Sequence, residues 1–287
     1  MPPLPIVNES DPVMKRVPAL LPLFLLLLLP VRLSAQAGTD ARFLGLALAR
    51  GIGADKDGLT VLTGIRHAVW SDTLPVRQDL QIYTRWAGTG AHTIGVSIWS
   101  SDTQETIAET VDDVDFGTDP ITYYTHDFSN TKFPEAGTYA VEVTLDGDVA
   151  AEYAFYVNVK DQFPPDPELV LSVPARAGSV DQGGSAQVSG IFEYFTFKSF
   201  PATDTFAIVT LWFSGTGSHD DSVRILGPSG ETIATSSSEI LSASYGEMSE
   251  VTSSFKGIAF PSAGTYTAVL LLDGRTVFEY PLEITQE

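Results

Sequence analysis

The residues with the clearest chemical capacity are carboxylates in one short stretch of the chain. Residues 112–119 read Asp-Asp-Val-Asp-Phe-Gly-Thr-Asp, which supplies the side chains of Asp112, Asp113, Asp115 and Asp119. Hard cations such as Ca²⁺ prefer several oxygen ligands at short range, and clustered aspartates provide them. The spaced ligands and closing glutamate of an EF-hand are missing, so an ordinary solvated acidic loop is the alternative. These four residues are the candidate metal ligands, calcium is the candidate ion, and no other cofactor is indicated.

The four histidines form no recognisable catalytic or metal-binding motif. His92 and His219 each follow a Gly-Thr-Gly turn, which predicts a duplicated structural role. His126 precedes Asp127, a pairing that can orient a general base, and His67 stands apart. No serine lies in a nucleophile-elbow pattern. The chain has no cysteine, which excludes thiol nucleophiles, disulfides and thiolate metal sites. We therefore predict that the protein is not an enzyme, and a hydrolase stays only as an alternative.

Aromatic side chains offer a further binding chemistry. The chain contains Trp70, Trp86, Trp99 and Trp212 together with Tyr123–Tyr124, and such rings can stack on sugars. Most of them lie at alternating positions of apolar stretches, where core packing is the usual role. Carbohydrate binding, like calcium binding, is therefore an alternative function.

These residues belong to a duplicated framework. Residues 133–139, Phe-Pro-Glu-Ala-Gly-Thr-Tyr, return as Phe-Pro-Ser-Ala-Gly-Thr-Tyr at 260–266, which is 127 positions later. Each copy is followed by an alternating apolar stretch and then by Asp-Gly, at 146–147 and at 273–274. Alternation predicts a half-buried strand, and Asp-Gly predicts a tight hairpin turn. The repetition predicts two copies of one domain.

The duplication extends through most of the chain. Trp86 to His92 aligns with Phe213 to His219 at the same spacing. Short strand patterns separated by Gly, Pro and Asp, without a helical stripe, predict an all-β fold. We predict two tandem immunoglobulin-like antiparallel β-sandwiches, because the Gly-x-Tyr pattern before each hairpin resembles a tyrosine corner. The copies differ at 109–120, which is acidic, and at 235–247, which is serine-rich. We expect both segments to be exposed loops in which function diverges.

The first part of the chain has the features of an export signal. Met14-Lys15-Arg16 is basic, Val17 to Leu29 is apolar, and Ala35-Gln36-Ala37 fits signal peptidase cleavage. We predict a signal peptide over residues 1–37, with Met14 as the candidate true start and Gly38 as the mature N-terminus. An uncleaved signal anchor is the alternative, and it would be the only membrane association. The predicted location is secreted, periplasmic or cell-surface.

The remaining boundaries follow from the repeat. We place the first β-sandwich at residues 38–160 and the second at 168–287. Residues 161–167 contain three prolines, which predict a semi-rigid linker. The net charge of −20 disfavours nucleic acid and anionic membranes as partners, because both bind cationic patches.

Several motifs resemble a known family. They are Gly-Ile-Phe at 190–192, Phe-Pro at 200–201, Gly-Pro-Ser-Gly-Glu at 227–231 and the hairpin motif at 260–266. Together they resemble a bacterial immunoglobulin-like domain family of unknown function, present here as a tandem repeat. The second copy matches over most of 168–287 and the first copy is more divergent. The resemblance implies a fold and offers no activity. The leading hypothesis is a non-catalytic binding, adhesion or structural module with a protein or glycan partner at the cell surface.

Overall fold

The computed structural model describes residues 41–159 and 163–287. The described parts consist of strands, turns and loops, so the all-β prediction is confirmed. The predicted signal peptide, residues 1–37, lies outside the described residues. Within the two described ranges, no helix has the length and apolarity needed to cross a bilayer.

The first repeat contributes two sheets and a hairpin. The strands are β1 Arg42–Ala49, β2 Gly51–Ala54, β3 Thr60–Ile65, β4 Ala68–Val69, β5 Val76–Ala87, β6 Ala91–Ser100, β7 Thr106–Asp115, β8 Ile121–Phe133, β9 Gly137–Leu145 and β10 Asp148–Val157. One sheet has the order β1-β5-β8, and the other has the order β4-β10-β9-β6-β7. The hairpin of β2 and β3 belongs to neither sheet.

The second repeat has equivalent strands in the same order, with two exceptions. Its strands are β11 Glu168–Val180, β12 Ala186–Ile191, β13 Tyr194–Phe197, β14 Ala202–Phe213, β15 Gly217–Leu226, β16 Thr232–Thr235, β17 Glu239–Ala243, β18 Met248–Phe260, β19 Gly264–Leu272 and β20 Arg275–Gln286. Strand β11 covers the equivalents of β1 and β2, while β16 and β17 replace β7. One sheet has the order β13-β20-β19-β15-β16, with β17 also on β15. The other sheet has the order β18-β14-β11-β12 and continues into β3 and β2 of the first repeat.

The repeated hairpins form as predicted. Strands β9 and β10 pair from Leu145 and Asp148 onward, and β19 pairs with β20 in the same way. Asp146 and Gly147 have φ of 51° and 87°, while Asp273 and Gly274 have φ of 51° and 73°. Two successive residues with positive φ define the turn that matches the twist of antiparallel strands.

The structure corrects one detail of the repeat alignment. β5 and β14 have the same length and the same pattern of burial up to their last residue. This match places Trp86 opposite Trp212 in the alignment, whereas the sequence motif alone aligned Trp86 with Phe213. Both tryptophans are fully buried. The one-residue difference in spacing therefore arises after these strands, in the Gly-Thr-Gly turns.

The two repeats are joined by backbone pairing between equivalent strands. β3 pairs antiparallel with β12, and Leu62 lies opposite Val188, its own counterpart in the second repeat. The neighbouring pairs are reciprocal, since Ile65 pairs with Ala186 while Thr60 pairs with Ile191. Such self-complementary pairing is the geometry of a two-fold interface. A local two-fold axis therefore runs between Leu62 and Val188 and relates the two repeats.

Side chains also fill the junction. In β14, Ile208 and Trp212 belong to the core of the second repeat, while Val209 and Leu211 point the other way. Val209 and Leu211 are nevertheless fully buried, in one apolar cluster with the core of the first repeat. The sheet that contains β14 is thus covered on both faces, and the repeats pack as one body.

A buried ion pair crosses this junction. Arg85 of β5 is 1% exposed, and its Nε donates to Oε2 of Glu193 at 2.8 Å. The hydroxyl of Tyr83 donates to the other oxygen of Glu193 at 2.6 Å. Burial alone would lower the pKa of Arg85, but the Glu193 carboxylate raises it. The guanidinium therefore stays charged and depends on one carboxylate from the opposite repeat.

We predict that Glu193→Gln destabilises the protein by about 3–5 kcal/mol, because it leaves the buried Arg85 charge uncompensated. Adding Arg85→Leu, which introduces the residue type of Leu211, should recover part of that loss. Urea denaturation measures both effects. Glu279→Gln, on an exposed site, is the matched control and should change stability by less than about 0.5 kcal/mol. A double variant less stable than Glu193→Gln alone would contradict the role assigned to the pair.

Candidate functional site

The acidic segment that the sequence singled out forms an edge strand and not a loop. Residues 106–115 are β7, which pairs only with β6 in its sheet. The expectation of an exposed loop at 109–120 is therefore wrong for residues 109–115. Alternation of Thr110 and Val114 with acidic residues is a strand pattern, and the strong acidity of the segment obscured it.

The four candidate metal ligands are directed to different partners. Asp112 bonds to His126 Nδ1 at 2.8 Å, and Asp113 accepts from the Thr93 hydroxyl at 3.1 Å. Asp115 accepts from the backbone N–H of Gly117 at 2.9 Å.

Asp119 lies in the turn after β7, where it reaches the second repeat. Its carboxylate accepts from the Tyr194 hydroxyl at 3.3 Å. In the described part of the chain, no three His, Asp or Glu side chains are grouped so that they could hold a metal ion. Calcium binding by the four aspartates stays a prediction, and it would require them to leave these partners.

The serine-rich segment of the second repeat is also partly strand. Residues 235–247 include β17 (Glu239–Ala243), which extends the sheet beside β15. The Ser236 hydroxyl accepts from the backbone N–H of Val223 at 2.9 Å where the edge is interrupted. The segment expected to be a loop is therefore part of the edge of the sheet, where the edge strand is interrupted between β16 and β17.

His92 and His219 form the same clamp in each repeat. His92 Nδ1 bonds to Asp146 at 2.8 Å, and its Nε2 donates to the Thr89 carbonyl at 3.0 Å. Asp146 is the first residue of the hairpin turn, and its second oxygen accepts from the Thr93 N–H at 2.9 Å. The clamp ties the Gly-Thr-Gly turn to the hairpin.

The clamp of the second repeat has the same geometry. His219 bonds to Asp273 at 2.8 Å and to the Thr216 carbonyl at 3.2 Å. Both ring nitrogens face acceptors, which the doubly protonated ring satisfies. The bond to Asp273 raises the pKa of His219. Hydrogen bonds from the histidines lower the pKa of Asp146 and of Asp273.

The other two histidines are buried structural residues as well. His126 bonds to Asp112 through Nδ1 and contacts the Thr84 hydroxyl through Nε2 at 3.3 Å. The neighbouring Asp127 instead accepts from the Gln81 amide at 2.6 Å. The sequence-adjacent His126–Asp127 pair therefore does not form a catalytic dyad.

His67 lies at the junction of the repeats. Its Nδ1 is 2.7 Å from the Tyr153 hydroxyl, and its Nε2 is 3.0 Å from Glu168. It occupies the position that Glu193 holds in the second repeat. His67 and Glu193 thus occupy equivalent positions but contact residues at non-equivalent positions of the opposite repeat.

Asp221 is a functional candidate that sequence reasoning missed. It is 0% exposed on β15, where the first repeat has Ile94. Its Oδ2 accepts from Trp212 Nε1 at 2.8 Å, and its Oδ1 has no hydrogen-bond partner in the structure. Burial raises the pKa of Asp221 to about 6, against the effect of the Trp212 bond, and Glu239 on the paired strand raises it further. A residue-by-residue comparison of the repeats would have revealed this acid in an apolar position.

Exposed aromatic rings occur together at the junction. Trp70 is 48% exposed, and its ring lies 6.0 Å from that of Phe163. Tyr245 of the second repeat is 41% exposed, and its ring lies 5.2 Å from that of Phe163 in the linker. The Tyr245 hydroxyl accepts from the Phe163 N–H at 2.8 Å. Trp86 and Trp212 are core residues, so Trp70 and Tyr245 are the aromatic rings that can contact a ligand here.

A small cleft also lies between the repeats. Its volume is about 30 Å³, and its lining includes Phe43, Leu44, Tyr153, Leu169, Ser172 and Phe278. This space has room for a water molecule.

Comparison with known proteins identifies the domain type. A family of unknown function (DUF6941) matches residues 46–158 and, a second time, residues 175–285. The chain therefore belongs to this family and carries its domain twice, as the internal repeat predicted. No curated protein matches the chain.

The clamps predict a pH dependence. A histidine whose pKa is raised on folding adds stability that is lost as pH rises through its folded pKa. An aspartate whose pKa is lowered on folding adds stability that is lost as pH falls through its folded pKa. The His219–Asp273 clamp should therefore stabilise most between about pH 4 and pH 6.5. Thermal melting of His219→Gln should show a smaller fall above pH 6.5 than the parent, and an unchanged pH profile would contradict the clamp.

Asp221 predicts a second and separable effect. Because its pKa is raised on folding, stability should decrease as pH rises from about 4 to 6, by about 3 kcal/mol in total. Asp221→Asn keeps an acceptor for Trp212 but cannot ionise, so this decrease should disappear. Urea denaturation at about pH 4 and about pH 6.5, a range in which the His219–Asp273 clamp is intact, measures it, with Asp220→Asn as the exposed control. Equal decreases in the parent and in Asp221→Asn would contradict the assignment.

Proposed function

We propose that this chain is a non-catalytic, exported bacterial protein in which two immunoglobulin-like β-sandwiches form one rigid binding, adhesion or structural module. The observation that carries the proposal is the use of the histidines. Both ring nitrogens of His67, His92, His126 and His219 bond to groups that link different strands or turns. Side chains bonded in this way link strands and turns, which supports a structural role for the histidines.

The immunoglobulin-like part of the proposal is supported by two hydrogen bonds. The Tyr139 hydroxyl donates to the Glu135 carbonyl at 2.9 Å, and the Tyr266 hydroxyl donates to the Ser262 carbonyl at 3.0 Å. A tyrosine near the start of the penultimate strand that bonds back to the chain a few residues upstream is typical of the tyrosine corner of immunoglobulin-like sandwiches.

A protein or glycan at the cell surface is the proposed partner. The net charge of −20 opposes binding to nucleic acid and to anionic lipid, which attract basic surfaces. The junction supports a display role, because the shared sheet and the buried Arg85–Glu193 pair hold both repeats in one orientation. Because the binding surface is already held in one orientation, less conformational entropy is lost when a partner binds.

Export makes the proposal testable. When the full sequence is expressed in a bacterial host, we expect the protein outside the cytoplasm, with Gly38 as its first residue. N-terminal sequencing of that fraction is the measurement. Arg32→Ala leaves the cleavage motif intact and is the control, whereas Ala37→Leu should block processing. Recovery of a chain that begins at Met1 or Met14 in the cytoplasm would contradict export.

The second candidate function is carbohydrate binding by an accessory protein, and the exposed rings of Trp70 and Tyr245 favour it. Stacking on a sugar should depend on Trp70 and not on Trp99, which is half-buried on β6. On a glycan array, Trp70→Ala should lose binding while Trp99→Ala keeps it. A parent protein that binds no glycan on the array would contradict this alternative.

A further inference from the structure

The outer side of β7 has free backbone donors and acceptors. Residues of an antiparallel pair alternate between those that bond to the neighbouring strand and those that point away. The Phe116 N–H donates to the Gly90 carbonyl at 2.9 Å, and His92 lies opposite Val114 in the same register. Counting along the register, the even-numbered residues of β7 bond to β6. The backbone groups of Glu109, Val111 and Asp113 therefore point outward.

Several features of this edge favour strand addition, although its exposed carboxylates restrict which strand can join. β7 has ten residues without a proline, and Val111 at its centre is 69% exposed. Among the residues that the structure describes, no strand pairs with its outer side. The equivalent edge of the second repeat is divided into β16 and β17, with Ser236 in the gap. The first repeat alone keeps a continuous free edge at this position, within the described ranges.

The exposed charges determine which strand can join. Glu109 and Asp113 lie two residues on either side of Val111 and are both exposed. Antiparallel pairing of β7 with β7 of a second copy, centred on Val111, would place Glu109 opposite Asp113. Like charges in directly opposed positions are destabilising, so this charge pattern disfavours pairing of β7 with β7 of a second copy. A strand with basic residues at those positions gains two cross-strand ion pairs instead.

We propose that β7 is a docking edge that accepts an extended basic segment of a partner protein as an added strand. Main-chain hydrogen bonds to Glu109, Val111 and Asp113 would hold the segment, and alternate side chains would select it. The preferred pattern is basic-x-apolar-x-basic, because residues two apart face the same side of a strand. This inference rests on the proposed binding role and names the chemistry of its partner.

The probe for the experiment is the peptide acetyl-Thr-Lys-Thr-Val-Thr-Lys-Thr-amide, with the full chain as receptor. Fluorescence anisotropy measures affinity, and hydrogen exchange followed by NMR locates the site. We expect slower exchange at the amides of Glu109, Val111 and Asp113, and no change along β16 and β17. Affinity should decrease as salt is raised, because the ion pairs are exposed.

Two variants separate backbone pairing from charge. Val111→Pro removes an outward backbone N–H and keeps both carboxylates. We expect it to weaken binding at least about tenfold, because the peptide loses a main-chain hydrogen bond at the centre of the pairing. Glu109→Gln with Asp113→Asn keeps the edge and removes the charges, and should weaken binding by a similar factor at low salt. A peptide N-methylated at its lysines and valine retains charge but cannot donate, so it should not bind.

The outcomes are distinct. Equal binding of the N-methylated peptide would show attraction by charge alone and would overturn the proposal, whether or not Val111→Pro folds. Protection at β2, β8 or β18 in place of β7 would also overturn it. Failure here leaves the export measurement and the Trp70 measurement unaffected, so it is distinguishable from failure of the proposed function.

Discussion

Because β3 pairs with β12 through equivalent residues, the backbone sets the position of one repeat on the other before any side chain contributes. The pairing brings the outer side of β14 against the core of the first repeat, where Val209 and Leu211 are buried. It also takes Arg85 out of water. A guanidinium in that position is tolerated only with a carboxylate partner, and Glu193 of the other repeat is that partner.

The local two-fold symmetry is exact in the backbone register and broken in the side chains. Glu193 and His67 occupy equivalent positions and both cross the junction, but one bonds to Arg85 and the other to Glu168. Trp86 and Trp212 are equivalent core residues, yet their indole N–H groups donate to Thr84 and to Asp221. The same difference affects the surface, where β7 is continuous and its counterpart is divided. Divergence between the repeats therefore marks both the junction and the candidate binding edge.

Local features of the fold were predictable, and long-range ones were not. The hairpins at Asp146 and Asp273 followed from alternation and the Asp-Gly signal, because a turn depends on neighbouring residues. Pairing of β3 with β12 joins residues more than a hundred positions apart, and no local pattern encodes it. In the sequence, Arg85 is a single charge beside apolar residues, and no local pattern identifies Glu193 as its partner. The segment around Asp112 was misread as a loop, because its acidity outweighed its alternation. The immunoglobulin-like topology and the signal peptide stay predictions.

The internal two-fold has a consequence for assembly. A dimer of single domains held by the same strand pairing would dissociate on dilution, since its stability depends on protomer concentration. Here a connection of ten residues, 158–167, between β10 and β11 makes the pairing intramolecular. The effective concentration of one repeat around the other is then in the millimolar range at any total concentration. The chain therefore keeps its two-domain geometry even at very low protein concentration.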